Sequence, residues 1–327
     1  MSYNVETVNA QFINQAFIDK LESGHAKEAM AVSSVFVRQK LREEGFARKI
    51  FTPQSITAAD LDRDVTEVPR IIVEKEPDSI AASFALTGSP EIRYYKAPRY
   101  EVFFHKIASA DFRKTKAELA TYKANIQQIL QENSVKDLQR QEDGRLIDRL
   151  NAIAADNTSG NVGVLDYSTT GFGIRTLMEQ IKALTKAEQK PGKILMAYNT
   201  YLSLLTRQAR IIGGDLAGEH FRGAGMTSFY GFEIITTNKH DILSSTGTGT
   251  AVTASTYGDM VYVFAPENYL GQFFSMQEPT VFIKTEADTI EFQTYEYVGL
   301  GLGNTKGFVA AKYNVNVDAD VVTTHSV

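Results

Sequence analysis

The sequence predicts an α+β protein in which helix and sheet are segregated along the chain, and three observations carry that prediction. Roughly 45 of the 73 charged residues precede Gly160, so the first half must solvate far more surface than the second. The first half places apolar residues at helical spacing over long stretches, whereas the second is rich in Gly, Thr, Tyr and Val and reads as sheet and loop. At 327 residues, 43% of them hydrophobic, the chain is long enough for about two domains with cores of their own.

Each element follows from local pattern. Phe12, Ile13, Phe17, Ile18 and Leu21 recur at helical spacing before Gly24, and Val32, Val35, Phe36 and Leu41 line a second helical stretch that closes at Gly45. Residues 51–68 read as extended, with Pro53 near one end, Pro69 just beyond the other, and the acidic run Asp60, Asp62, Asp64 between. Strand pattern follows in three runs, 71–73, 81–86 and 93–107, with the turn Thr87-Gly88-Ser89-Pro90 before the last. In that last run Tyr100, Val102 and Phe104 alternate with Arg99, Glu101 and His105, giving one apolar and one polar face. A hairpin of this kind is marginal alone and needs another surface to lie on.

Ser109 or Asp111 then caps a long helix through Leu119, Tyr122, Ile126 and Ile129, resuming at Leu138, Leu146, Leu150 and Ile153. Asn133-Ser134 and Gly144 are candidate breaks. One helix over 112–155 would be about 65 Å long, and two consecutive helices are equally allowed. Beyond the loop 156–163, the pattern predicts a helix over 174–185, a strand over 193–197 after Pro191-Gly192, a helix over 200–207 and a strand over 232–237. A Ser/Thr/Gly stretch over 244–256 precedes strands at 260–265, 281–285, 289–298 and 308–317.

The chemistry-bearing residues form no catalytic, cofactor or metal pattern. The chain lacks Cys, which removes disulfides, thiolate nucleophiles and Cys-based zinc sites together. His25, His105, His220, His240 and His325 include no pair at helical metal-ligand spacing. Asp60, Asp62 and Asp64 resemble the start of a calcium loop, but Val65 and Ile71 stand where that loop needs Gly and Glu. Gly299, Gly301 and Gly303 are followed by another strand pattern and not by a helix, so they read as a turn. Gly171 and Gly173 do precede a helix, and two glycines alone make a weak phosphate cradle. There is no P-loop and no GxSxG elbow. The sequon Asn157-Thr158-Ser159 is one in form only, because MSYNVETVNAQF lacks the pattern of an export signal. No apolar run approaches the ~18 residues that span a bilayer. A net charge of −5 lacks the basic excess of a protein that grips nucleic acid. These features predict a soluble, unexported protein that is not an enzyme and carries no cofactor.

The order of elements resembles the Hong Kong 97 fold of tailed-bacteriophage major capsid proteins. The segments that carry the likeness are VSSVFVRQKLREEGFARKIFTP (32–53), EKEPDSIAASFAL (74–86) and RYEVFFHKIASADFRKTKAELATYK (99–123). NVGVLDYSTTGFGIRTLMEQIKAL and KILMAYNTYLSLLTR are similar to the start of that family's axial domain. VYVFAPENYLGQF and IEFQTYEYVGLGLGNTKGFVAAKYNV are similar to its late axial strand and the closing strands of its peripheral domain. The resemblance implies an N-terminal arm over 1–68, an extended β-hairpin loop over 69–107, a peripheral domain from 108–163 and 281–327 with a long spine helix, and an axial domain over 164–280. Axial loops at 209–225 and 244–257 would face the capsomer axis.

It further implies a structural protein of the virion that self-assembles, in the host bacterial cytoplasm, into hexamers and pentamers of an icosahedral shell. That shell would enclose double-stranded DNA without sequence-specific binding, with a separate scaffolding protein, a portal and a decoration protein as partners. Assembly contacts are expected at Arg38 and Arg42 of the arm and at Arg93, Tyr95 and Arg99 of the loop. Lys75 and Lys96 lie where some family members crosslink a loop lysine to a neighbour's Asn, and no crosslink is expected here. The alternatives are an encapsulin-like nanocompartment shell, which holds cargo protein in place of DNA, and a soluble nucleotide-binding enzyme built around Gly171–Gly173 or Gly299–Gly303. A tail or other adhesive virion protein is a further rival, and the repetitive β structure typical of those is missing from this sequence.

Overall fold

One long helix and two six-stranded sheets dominate the chain. The computed structural model describes residues 45–57, 59–61, 68–74, 98–121, 126–155, 163–212, 228–229, 231–239, 242–243, 258–314, 316–317 and 319–320. In chain order the elements are α1 (Ala47–Ile50), β1 (Pro53–Ser55), β2 (Arg70–Glu74), β3 (Arg99–Ala108), β4 (Phe112–Thr115), α2 (Lys116–Thr121), α3 (Ile126–Ala155) and β5 (Val164–Tyr167). There follow α4 (Ile174–Lys186), β6 (Lys193–Ala197), α5 (Tyr198–Ile212), β7 (Ser228–Phe229), β8 (Phe232–Thr237), β9 (Gly258–Phe264), a 3-10 turn (Glu267–Tyr269), β10 (Gln272–Glu286), β11 (Thr289–Gly301) and β12 (Phe308–Asn314). The expected helices before Gly45, the strand run 81–86, the turn 87–90 and the stretch 244–256 lie outside the described residues.

The first sheet has the order β1-β10-β11-β3-β2, with β4 also on β11. Its spine is the long antiparallel pair β10–β11, which runs from Gln272↔Gly301 to Glu286↔Thr289. β11 is longer than either neighbour on its other side. Its Tyr295–Gly299 part pairs with the end of β3, and its Thr289–Phe292 part pairs with β4. Residues 112–115 are therefore strand and not the start of the expected helix, because the backbone of β11 leaves an edge there that a strand can satisfy. β2 continues the sheet antiparallel to β3, with Glu74 opposite Arg99. Tyr100, Val102 and Phe104 do turn inward and Arg99, Glu101 and His105 outward, as the alternation predicts.

α3 runs unbroken through Ser134 and Gly144, about 45 Å at 1.5 Å per residue. Leu138, Leu146, Ile147, Leu150 and Ala154 are all buried, and packing on this scale outweighs the roughly 1 kcal/mol that a Gly costs inside a helix.

The second sheet has the order β5-β12-β9-β6-β8-β7. β6 and β8 are parallel, joined through α5, and β5 is parallel to β12. The strand β5 was not anticipated; it is a short edge strand with a half-buried alternation that its sequence barely marks. The expected boundary at 281 does not follow the sheets. β12 hydrogen-bonds to β9 and β5 in the second sheet, while Gln272 to Thr280 belong to β10 in the first.

Both faces of the second sheet are covered, which explains its uninterrupted apolar strands KILMA and MVYVF. Leu195, Tyr262, Phe264, Phe308 and Ala310 face α3, α1 and the first sheet in one shared core. Ile194, Met196, Val261, Val263 and Val309 face α4 and α5 in another. Inside that second core the Gln180 side-chain amide donates to the carbonyls of Val261 (2.8 Å) and Val309 (2.9 Å), and its oxygen accepts from the Tyr313 hydroxyl (3.0 Å). A third, smaller core of Val102, Phe104 and Phe274 covers part of the first sheet's other face beneath Ile56 and Leu61.

Candidate assembly surface

Of the predicted contact residues, Arg38, Arg42, Arg93 and Tyr95 lie outside the described residues, as do Lys75 and Lys96. Arg99 stands on β3 with its side chain exposed, and its Nη2 is 2.7 Å from Glu74 Oε1 on β2. Among the described residues β2 is the outermost strand on this side of the first sheet, paired with β3. Their outer face interleaves charge with apolar surface. Arg70 pairs with Glu101 at 3.1 Å, while Ile72 and Phe103 remain exposed at 38% and 39%. An edge strand rich in charge resists indiscriminate pairing, and the exposed aromatic between the charges provides contact area for a specific one.

Phe103 and His105 continue this face into a cleft of about 270 Å³ between β3, β11 and the C-terminal half of α3. Its floor is apolar, from Ile107 and Val298, and its rim carries Arg145 and Arg149, both exposed and one helical turn apart. Partial burial, then the charges of these two arginines, hold the His105 imidazole below its ordinary pKa. On the opposite face of the sheet Phe282 stacks on Tyr295 at 4.1 Å between ring centroids, and the Lys106 ammonium lies 4.1 Å from the Tyr295 ring centre.

Behind the cleft lies a buried ionic cluster that the sequence reading missed. Arg48 of α1 is 7% exposed. Its Nε and Nη2 donate to Glu142 of α3 (2.8 Å for the shortest), its Nη2 also to Glu296 of β11 (3.0 Å), and Glu278 of β10 lies 3.6 Å from Nη1. Burial pulls the Arg48 pKa down, but the carboxylates of Glu142, Glu296 and Glu278 together push it above its ordinary value. Next to it Asp143 accepts from the backbone N–H of Ala47 (2.9 Å) and from the Lys239 ammonium. Burial raises the Asp143 pKa to about 6, although Lys239 and the Ala47 N–H oppose the shift. A signal for this cluster does exist in the sequence. Glu142 falls between Leu138 and Leu146 on the helical stripe, and Glu296 falls between Thr294 and Val298 on the buried face of β11.

The glycine motifs are structural. A side chain on Gly299 or Gly301 would collide with Phe104 or Val102 of the neighbouring strand, so both glycines serve close packing within the first sheet. At Gly171 and Gly173 the N-terminus of α4 is already occupied: Asp320 accepts from the backbone N–H groups of Ile174 (2.7 Å) and Arg175 (3.1 Å). The position where a phosphate would dock is filled by the chain's own carboxylate. Asp60 accepts from the backbone N–H and hydroxyl of Thr57, a local turn, and Asp62 and Asp64 lie outside the described residues. Among the described residues no group of three or more His, Cys, Asp and Glu side chains is placed to hold a metal ion, and no helix is long and apolar enough to cross a membrane.

No protein-family model and no curated protein matches the sequence. Solved structures do match in three dimensions. The capsid of the cyanophage P-SCSP1u is similar at a TM-score of 0.54 and 12% identity, over 81% of this chain and 86% of that one. The capsid of a native GTA particle is similar at 0.53 and 13%, over 81% and 89%. The mature capsid of bacteriophage PhiM1 is similar at 0.53 and 12%, over 85% and 88%. Over four-fifths of its length the chain has the Hong Kong 97-type fold of tailed-phage capsid proteins.

Proposed function

We propose that this chain is a major capsid protein, a shell subunit whose copies assemble as hexamers and pentamers around double-stranded DNA. The observation that carries the reading is a fold likeness spanning more than four-fifths of both chains, to structures that are capsids. Three features of the chain support it. The arm β2–β3 presents exposed Ile72 and Phe103 at a sheet edge, the cleft beside α3 is open, and the net charge of −5 suits a container that does not grip its contents. A closed shell spreads many modest contacts over each subunit, so none needs to be strong alone. In this reading the extended loop 69–107, with β2 and β3 at its base, lies across a neighbouring copy. The peripheral unit is the first sheet with α3, and the axial unit is the second sheet with α4, α5 and β12. Scaffolding, portal and decoration proteins would be separate chains, and the product would be a virion assembled in the host cytoplasm.

The test is electron microscopy of the purified full chain, alone and with a co-expressed scaffolding protein. Closed shells, or rings of five and six, are the expected result; a monomer in every condition overturns the proposal. Replacing residues 75–98 by Asn-Gly would join Glu74 to Arg99 through a two-residue turn suited to a hairpin. That variant should fold and fail to form shells. The nanocompartment alternative is separated by content: such a shell should hold a cargo protein and no DNA or scaffold.

A further inference from the structure

The buried cluster at α1 brings carboxyl groups together. Glu142, Asp143 and Glu296 converge there from α3 and β11, and among the described residues Arg48 and Lys239 are the cations paired with them. Of the other described cations nearby, Arg145 and Arg149 face His105 across the cleft, Lys49 is exposed, and Lys193 donates to the backbone carbonyl of Lys49. The side chains of Glu142 and Glu296 are fully buried. Both Glu142 oxygens accept from Arg48, and Glu296 Oε2 accepts from Arg48 Nη2, but Glu296 Oε1 is buried with no donor. An orphaned buried carboxylate oxygen beside a second carboxylate is costly unless one of the two carries a proton.

We propose that Glu296 carries a proton at neutral pH, and that this proton and Arg48 form a latch fastening residues 46–51 to the spine helix and the first sheet. The proton sits on Glu296 Oε1 and is donated to the Glu142 carboxylate, which fills the vacancy left by the missing donor. On titration the Glu296 O–H bond breaks and the proton passes to water. Two buried carboxylates then face each other with one guanidinium between them, and their repulsion works against the docking of α1. Burial, then the Glu142 charge, hold the Glu296 carboxyl well above the ordinary carboxylate range, which agrees with that placement. A carboxyl whose pKa is raised in the closed state favours closure fully below its ordinary pKa. That advantage declines as pH rises, until the closed-state pKa is passed. One proton released on opening changes the latch equilibrium about tenfold per pH unit within that window.

Hydrogen exchange on the full chain tests it at the amides of Ile50 and Phe51, which donate to the carbonyls of Phe46 and Ala47. Glu296→Gln keeps a donor at the same place and cannot lose it. Exchange in wild type relative to Glu296→Gln, compared at each pH so that intrinsic rates cancel, should rise about tenfold per pH unit above pH 6. A ratio that stays constant from pH 6 to 9 overturns the proposal. Should the variant fail to fold, infrared difference spectra of wild type labelled with carbon-13 glutamate decide. A protonated glutamic acid band at pH 7 that vanishes at alkaline pH supports the latch, and its absence at pH 7 refutes it.

Discussion

Both faces of the second sheet pack against apolar cores, whereas the first sheet hides four carboxylates and two cations behind its inner face. In the second sheet the buried polar groups are neutral and matched. Gln180 meets two strand carbonyls and Tyr313, and the Tyr262 hydroxyl donates to Asn151 of α3 at 2.7 Å. In the first sheet the buried groups are charged, and Glu296 Oε1 is buried with no donor. The difference teaches where the molecule can respond to conditions. A close-packed apolar layer is indifferent to pH and salt, while a joint held by desolvated charge is strong only in the protonation state it was built for.

One substitution in each region sharpens this contrast. Phe172→Ala opens a cavity under Tyr313, whose ring lies 5.0 Å away edge-on, and should cost about 3–5 kcal/mol at every pH. Arg48→Leu leaves the fully buried Glu142 carboxylate without its cation and should cost a similar ~3–5 kcal/mol at neutral pH. Unlike the first, that cost should shrink on acidification as the carboxyls become neutral. Urea denaturation of both variants at pH 4.5 and 7.5 separates them. Equal pH behaviour would mean the charged joint is no different in kind from the apolar core.

Asp143 offers a narrower test. Its pKa is about 6 in the folded chain against an ordinary 3.8, so wild type should lose about 3 kcal/mol of stability from this group as pH rises between those values. The loss levels off above pH 6. Asp143→Asn keeps an acceptor for the Ala47 N–H and removes the titration, so wild-type stability relative to the variant should fall across pH 4–6 and then stay flat. A difference that is constant over pH 4–6 would show that Lys239 holds Asp143 ionised throughout.

The contrast between the sheets also governs what the sequence could disclose. β6, β8 and α4 are predicted within one or two residues, because strands buried on two faces and a helix buried on one write their period directly into the residue order. β4 was missed because its strand character comes from the free edge of β11, some 180 residues later, and not from its own FRKT. The charged joint was missed for the same reason. Glu142 and Glu296 each stand alone in the sequence until Arg48, 94 positions from the one and 248 from the other, turns them into a cluster. The break in the stripe of α3 at position 142 was the legible part; the partner was not.

Asp320 lies between the two regimes, a polar side chain performing a local task. Asp320→Ala removes the acceptor for the Ile174 and Arg175 N–H groups and should cost about 1 kcal/mol, with Asp320→Asn recovering much of it. Thermal denaturation reads the difference. A loss as large as that of Phe172→Ala would mean that the segment around Asp320 also holds Gly171 and Phe172 in place, where Phe172 N–H donates to the Val317 carbonyl.

The smallest expected effect on the isolated chain is at Arg99, and it carries the most information about assembly. The Arg99–Glu74 pair is exposed, with both side chains more than half accessible, and exposed pairs contribute roughly 0–1 kcal/mol. Arg99→Ala should therefore leave the denaturation midpoint of the monomer almost unchanged. If β3 is an arm laid across a neighbouring copy, the same substitution should still lower the yield of shells, because a side chain that does little within one subunit is free to make its contact with the next. Sedimentation of assembly reactions measures that yield. A normal yield would remove Arg99 from the contact and leave Ile72 and Phe103, the exposed apolar residues of the same face, as the groups through which the arm holds its neighbour.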